Sequence, residues 1–106
     1  MIIGLGCDIV EHSNFEKLAW LNDDNTLRRF AAKEAVLKCL GTGMEDGISL
    51  KNIEIIKSQT GLPQVSLSGK VMKISTSKKI TSWHISISHT TSTSAVFVIA
   101  ESVNLK

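Results

Sequence analysis

The first residues of the chain alternate. Ile3, Leu5, Cys7 and Ile9 fall on one face of an extended segment from Ile2 to Val10, and Gly4, Gly6 and Asp8 fall on the other with Ile2 and Val10. That period of two is the mark of a β-strand, here with one face stripped of side chains just ahead of a carboxylate. Phe15, Leu18 and Ala19 recur at helical spacing and predict a short helix. Asn22 to Thr26 is a cluster of turn formers and helix N-caps, so a second helix is expected from about Thr26 to Leu40. Gly41 is placed to close it as a left-handed cap, and Gly41-Thr42-Gly43 opens a loop reaching Gly47. Further on, Asn52 to Lys57 and Gln64 to Leu67 read as strands around a Gly61-Leu62-Pro63 turn, and Gly69 to Lys78 as a short helix. Trp83, Ile85 and Ile87 alternate with His84, Ser86 and Ser88, and Ala95 to Ala100 is a continuous apolar run; together they predict a buried β-hairpin. Strand, two helices, two strands, helix, two strands is the order of an α+β fold. We expect one small domain over residues 1–106, with helices packed on a mostly antiparallel sheet.

Composition narrows the function classes. With 106 residues, 42% hydrophobic, the chain can bury one core and has no room for a second. A net charge of +2 permits an acidic partner without calling for nucleic acid. No apolar run approaches the roughly 20 residues of a bilayer span, and Met1-Ile2-Ile3-Gly4 has no basic stretch ahead of it, so no membrane role and a cytoplasmic location are expected. Cys7 and Cys39 have neither metal-type nor redox-type spacing and read as buried, reduced thiols.

Asp8 is the first residue that local structure does not explain. Two glycines beside it let another backbone, a helix or a ligand approach closely, and a carboxylate buried there needs a partner. Its bland reading is a strand-end turn cap. In the helix from Arg28 to Leu40, Glu34 lies about 40° and Lys38 about 80° around from Phe30, a narrow charged stripe between apolar neighbours on an otherwise buried cylinder. Two readings of that stripe stand side by side: an ordinary i,i+4 ion pair, or a carboxylate and an ammonium held together for a metal and an anion. Asp8 and Glu34 would give an octahedral Mg²⁺ two hard oxygen ligands and leave the rest to phosphate and water. Lys38 and Arg29 would offset phosphate charge. Gly41-Thr42-Gly43 is not a P-loop; it is a helix cap, or bare backbone against a phosphate or pantetheine chain. His89 closes Ser86-Ile87-Ser88-His89 as a packed or solvated strand-end residue, a ligand contact, or part of a Ser/His relay. Lys70, Lys73, Lys78 and Lys79 read as a solvated face.

Three segments carry a resemblance. Gly4-Leu5-Gly6-Cys7-Asp8-Ile9-Val10-Glu11, then Arg29-Phe30-Ala31-Ala32-Lys33-Glu34-Ala35 with Lys38, then Ile85-Ser86-Ile87-Ser88-His89 resemble, in order, the opening strand, central signature and closing motif of the bacterial holo-acyl-carrier-protein synthases. The similarity runs through Gly41-Thr42-Gly43, Ile48-Ser49 and Gly61-Leu62-Pro63. It implies the 4′-phosphopantetheinyl transferase fold and a homotrimer with active sites shared between subunits. The implied activity is Mg²⁺-dependent transfer of 4′-phosphopantetheine from coenzyme A to a serine of apo acyl carrier protein, in support of fatty acid biosynthesis. Asp8 and Glu34 match the metal ligands and Lys38 the lysine near the reacting phosphate. Arg29 and His89 match residues near the coenzyme A phosphates, with Lys38, Gly41, Gly43 and Ser88 completing the coenzyme A set.

The chain departs from the pattern twice. The family carries an additional helical, partly basic stretch before its central signature, whereas Trp20-Leu21-Asn22-Asp23-Asp24 runs almost directly into it, so a segment near 21–25 is missing by comparison. Where the family places arginines that dock the carrier protein, this chain has His12-Ser13-Asn14-Phe15-Glu16-Lys17. Two competing readings are a catalytically silent homologue that binds without transferring, and a small structural or nucleic-acid-binding module whose acids form ordinary ion pairs. Metal-dependent turnover separates the first from the enzyme, and loss of function without loss of folding on Asp8→Ala or Glu34→Ala argues against the second.

Overall fold

The computed structural model describes residues 1–12, 24–43 and 47–103. Strand β1 (Ile2–Glu11) is followed by helix α1 (Asp24–Leu40), a 3-10 turn at Leu50–Asn52, strands β2 (Ile53–Lys57) and β3 (Pro63–Leu67), helix α2 (Gly69–Ser77), and strands β4 (Ser82–His89) and β5 (Thr93–Glu101). The expected short helix at Phe15, Leu18 and Ala19 lies outside the described residues. Helix α1 starts at Asp24, two residues before the expected Thr26, and the other elements fall within about two residues of their expected bounds.

Every strand pair among the described residues is antiparallel. β1, β5 and β4 form one sheet in that order, and β2 pairs with β3 as a separate ribbon. β5 thus sits centrally, with Gly6 opposite Val98, Asp8 opposite Val96, and Ile87 on the far side of Val96. A register shift between Ile2 and Gly4 pairs Ile2 with Glu101, which removes Ile2 from the glycine face where strict alternation had put it.

Helix α1 lies across β1 and β5 because β1 has nothing to hold it off. A Cβ on Gly4 would overlap the carbonyl oxygen of Cys39, and one on Gly6 the carbonyl oxygen of Ala35. The helix backbone therefore rests on the strand backbone. Leu27, Ala31, Ala32, Ala35, Val36, Leu37 and Leu40 are buried against Val10, Val96, Val98 and Ala100, with Ile48, Ile53 and Val71 closing the core. Each fully buried Val or Leu contributes about 1.5–3 kcal/mol. At its far end α1 closes as expected: Gly41 takes φ 71°, Gly41 N–H donates to the Lys38 carbonyl, and Thr42 N–H to the Leu37 carbonyl, a Schellman cap.

One expectation needs correction. The run from Ala95 to Ala100 is apolar throughout but buried only alternately. Val96, Val98 and Ala100 face α1, whereas Phe97 is 57% exposed on the opposite face, beside Leu5 at 67% and Ile9 at 64%. Among the described residues the sheet has a helix on one side only, and there half of its apolar residues face outward. Among the described residues, no helix is long and apolar enough to cross a membrane.

Candidate active site

Asp8 stands on the face of β1 that α1 covers, one alternation beyond the glycines, where the helix backbone has come close enough for its side chains to meet the strand. Lys38 Nζ donates to Asp8 Oδ1 at 3.0 Å and to the Cys7 carbonyl at 3.0 Å. The ion pair of Lys38 is therefore with a residue thirty positions away, not the i,i+4 pair with Glu34 that the helix alone would suggest. Glu34 joins the same cluster electrostatically. Its carboxyl is pushed above its ordinary value, first by burial and then by the negative charge of Asp8, with Lys38 acting in the opposite sense. The Lys38 ammonium is raised in turn, chiefly by its hydrogen bond to Asp8 and then by that residue's charge. Two carboxylates close enough to repel, with an ammonium against one of them, are the start of a cation site with an anion site beside it.

A second feature lies along the other half of α1. The β2–β3 ribbon stands off the main sheet near β4, leaving a groove of about 480 Å³ between the ribbon, β4 and the first turns of α1. Arg28, Arg29, Lys57 and His89 supply its polar edge, Ile55, Leu62, Pro63, Ile85 and Ile87 its apolar walls, and among the described residues no Asp or Glu lines it. Basic side chains against an apolar wall suit an anionic ligand that also carries a flat or aliphatic part. Neither Asp8, Glu34 nor Lys38 lines this groove. Arg29 and Glu34 are five residues apart, about 140° around the helix, so one chain aims them at different sides.

A model of the 4′-phosphopantetheinyl transferase superfamily matches residues 4–100, a span that holds both features. The chain belongs to this superfamily. Among its curated members, the holo-[acyl-carrier-protein] synthase of Treponema denticola is 39% identical over 125 aligned residues, covering 95% of this chain and 99% of the relative. That of Solidesulfovibrio magneticus is 34% identical over 95% and 99%. An alignment longer than the 106 residues of this chain means that the relative has residues with no counterpart here. Among solved superfamily members, the holo-[acyl-carrier-protein] synthase of Neisseria meningitidis superposes with a TM-score of 0.82 at 29% identity, over 95% of this chain and 99% of that one. The Bacillus anthracis enzyme, solved in complex with coenzyme A (3′,5′-ADP), gives 0.77 at 28% identity over 97% and 99%.

Within this superfamily fold, the residues singled out from sequence divide into three groups. Asp8, Glu34 and Lys38 converge. Arg29 and His89 face the groove. Gly41 and Gly43 lie just past the end of α1, downstream of Lys38, and Ser88 has the opposite strand parity from His89 and pairs with Ala95. Sequence reasoning missed Arg28 and Lys57 as groove residues and the ribbon wall at Ile55 and Leu62. No local signal marked them, because the groove exists only where the ribbon docks beside β4. Cys39 is buried, its thiol pushed up by burial and directed at the Val98 carbonyl 3.9 Å away. That is the inert thiol its spacing suggested.

Proposed function

We propose that this chain is a Mg²⁺-dependent holo-acyl-carrier-protein synthase, moving 4′-phosphopantetheine from coenzyme A to a serine of apo acyl carrier protein and releasing 3′,5′-ADP. The observation that carries the reading is the convergence of Asp8, Glu34 and Lys38 in a superfamily member whose curated relatives are named for this activity. The donor set fits Mg²⁺, which takes one or two protein carboxylates and completes its shell with substrate phosphate and water. The mutual repulsion felt at Glu34 is what a divalent ion relieves. When bound, the metal supplies Lewis-acid polarisation of the phosphoryl oxygens.

The chain's own residues do the remainder. Asp8 and Glu34 hold the metal, and Lys38 offsets charge on the phosphoryl oxygens and the leaving phosphate, so catalysis is mainly positioning and electrostatics. The serine oxygen forms a bond to the β-phosphorus, the bond to the oxygen bridging the α-phosphorus breaks, and the serine proton passes to solvent or a nearby carboxylate. Arg29 and His89, with Arg28 and Lys57, bind coenzyme A phosphates in the groove. Gly41, Gly43 and Ser88 are proposed contacts of the same ligand.

We further propose a homotrimer whose active sites lie between subunits. Two observations support this: the apolar stripe Leu5, Ile9 and Phe97 on the open face of the sheet, and the division of the site residues between two sides of α1, which a second copy can bring together. We take the cytoplasm as the compartment and fatty acid biosynthesis as the pathway served. The deciding experiment incubates apo acyl carrier protein with this protein, coenzyme A and Mg²⁺, with a chelator control, and reads the carrier's mass. A chelator-sensitive gain of one phosphopantetheine group is expected; coenzyme A bound without any gain would leave a silent homologue.

A further inference from the structure

We infer that Lys38 and the divalent ion compete for Asp8, so that binding of the ion releases the lysine toward the substrate's phosphates. The inference rests on the metal site proposed above. The Lys38 ammonium sits 3.0 Å from Asp8 Oδ1 and 3.0 Å from the Cys7 carbonyl oxygen. Both acceptors are oxygens of the kind a hard cation takes. The side chain reaches in from solvent, 55% exposed against 17% for Asp8.

The strand that carries Asp8 has little room to shift. Asp8 is locked in register opposite Val96, and α1 is seated on the bare backbone of Gly4 and Gly6. Lys38, by contrast, is a flexible exposed stem whose charge is held by these two contacts. An ammonium and a divalent ion sharing Asp8 would repel each other at short range, so occupation by the metal displaces the lysine.

Charge then changes sign. Two carboxylates and one ammonium leave the cluster one net negative charge, which repels a diphosphate; a divalent ion turns this into one net positive charge, with Lys38 free to bind phosphate oxygen. Metal entry therefore prepares the anion site twice, by charge and by releasing a donor. The two binding events are coupled, each tightening the other.

The test is calorimetric titration of the intact protein with Mn²⁺ alone, without coenzyme A, for wild type, Lys38→Met and Lys33→Met. Lys33 neighbours Glu34 on the same helix and controls for the loss of a positive charge as such. Lys38→Met should bind Mn²⁺ about 3- to 30-fold more tightly than wild type, and Lys33→Met within about 2-fold. In parallel, the Lys38 side-chain ε-carbon signal of wild type, assigned by its disappearance in Lys38→Met, should move on saturation with Mg²⁺. Equal affinities for wild type and Lys38→Met, or a Lys38 signal unmoved by Mg²⁺, would overturn the inference while leaving the metal site standing. Failure of all three proteins to bind Mn²⁺ would remove the metal site, and this inference with it.

Discussion

Gly6→Ala puts the seating of α1 on β1 to the test. A methyl at this position overlaps the carbonyl oxygen of Ala35 and stands 2.9 Å from its carbonyl carbon and 3.0 Å from the Cys39 nitrogen. Carbon atoms pack at about 3.5–4.0 Å, and these neighbours are helix backbone that cannot rotate away. The helix must therefore back off by about 1 Å or the strand must leave the sheet. Overpacking by one methylene typically costs about 1–3 kcal/mol, and a clash with backbone belongs at the upper end. For a domain of this size about 3 kcal/mol lowers the melting temperature by roughly 12–24 °C. The shift also carries Glu34 and Lys38, flanking Ala35 on the same helix, away from Asp8, and a misplacement of about 1 Å costs roughly 100-fold in rate. Thermal unfolding by circular dichroism and carrier-protein mass spectrometry at a temperature where the variant is folded read the two effects separately. A Gly6→Ala protein with native melting temperature and native transfer rate would refute the reasoning, since it would mean that α1 does not rest on the strand backbone.

Three further outcomes are expected. Because burial and then the charge of Asp8 raise the Glu34 carboxyl, the folded protein keeps a proton there over a range of pH in which the unfolded chain has already lost it. The stability this proton confers is present at low pH and is lost as pH rises through the folded-state value. Glu34→Gln should flatten that slope and melt about 1–3 °C above wild type at neutral pH without metal, while losing at least about 100-fold in transfer; metal-free melting curves from pH 4 to 8 check it. Phe97→Asp puts a charge in the exposed apolar stripe and should lower the mass seen by light scattering to that of a folded monomer; an unchanged mass would exclude this face from the interface. Arg29→Ala should weaken coenzyme A binding by about 10-fold in calorimetry and leave Mn²⁺ affinity unchanged, and a loss of metal binding instead would merge two sites described here as separate.

The local pattern by itself determined the elements and much of the chemistry. Alternation marked β1 and β4, an unbroken apolar run marked β5, and Gly41 marked the end of α1, because such runs, strand period and a left-handed cap are properties of a few neighbouring residues. Asp8 and Glu34 stood out for the same reason: each interrupts an apolar face. Local pattern could not say which partner a charge would choose. Lys38 lies one turn from Glu34, yet its ion pair is with Asp8, because two glycines bring a strand 30 residues away in sequence within 3.0 Å. Nor could pattern tell which apolar face of the sheet would be covered. Phe97 and Val98 are equally apolar neighbours, but α1 lies on one side of the sheet only, so one is exposed and the other buried. The groove at Arg29 and His89 is also purely tertiary. Its wall comes from a ribbon bonded to neither β1 nor β4, and the position of such a ribbon is set by packing against α1 and β4, to which no local spacing is sensitive.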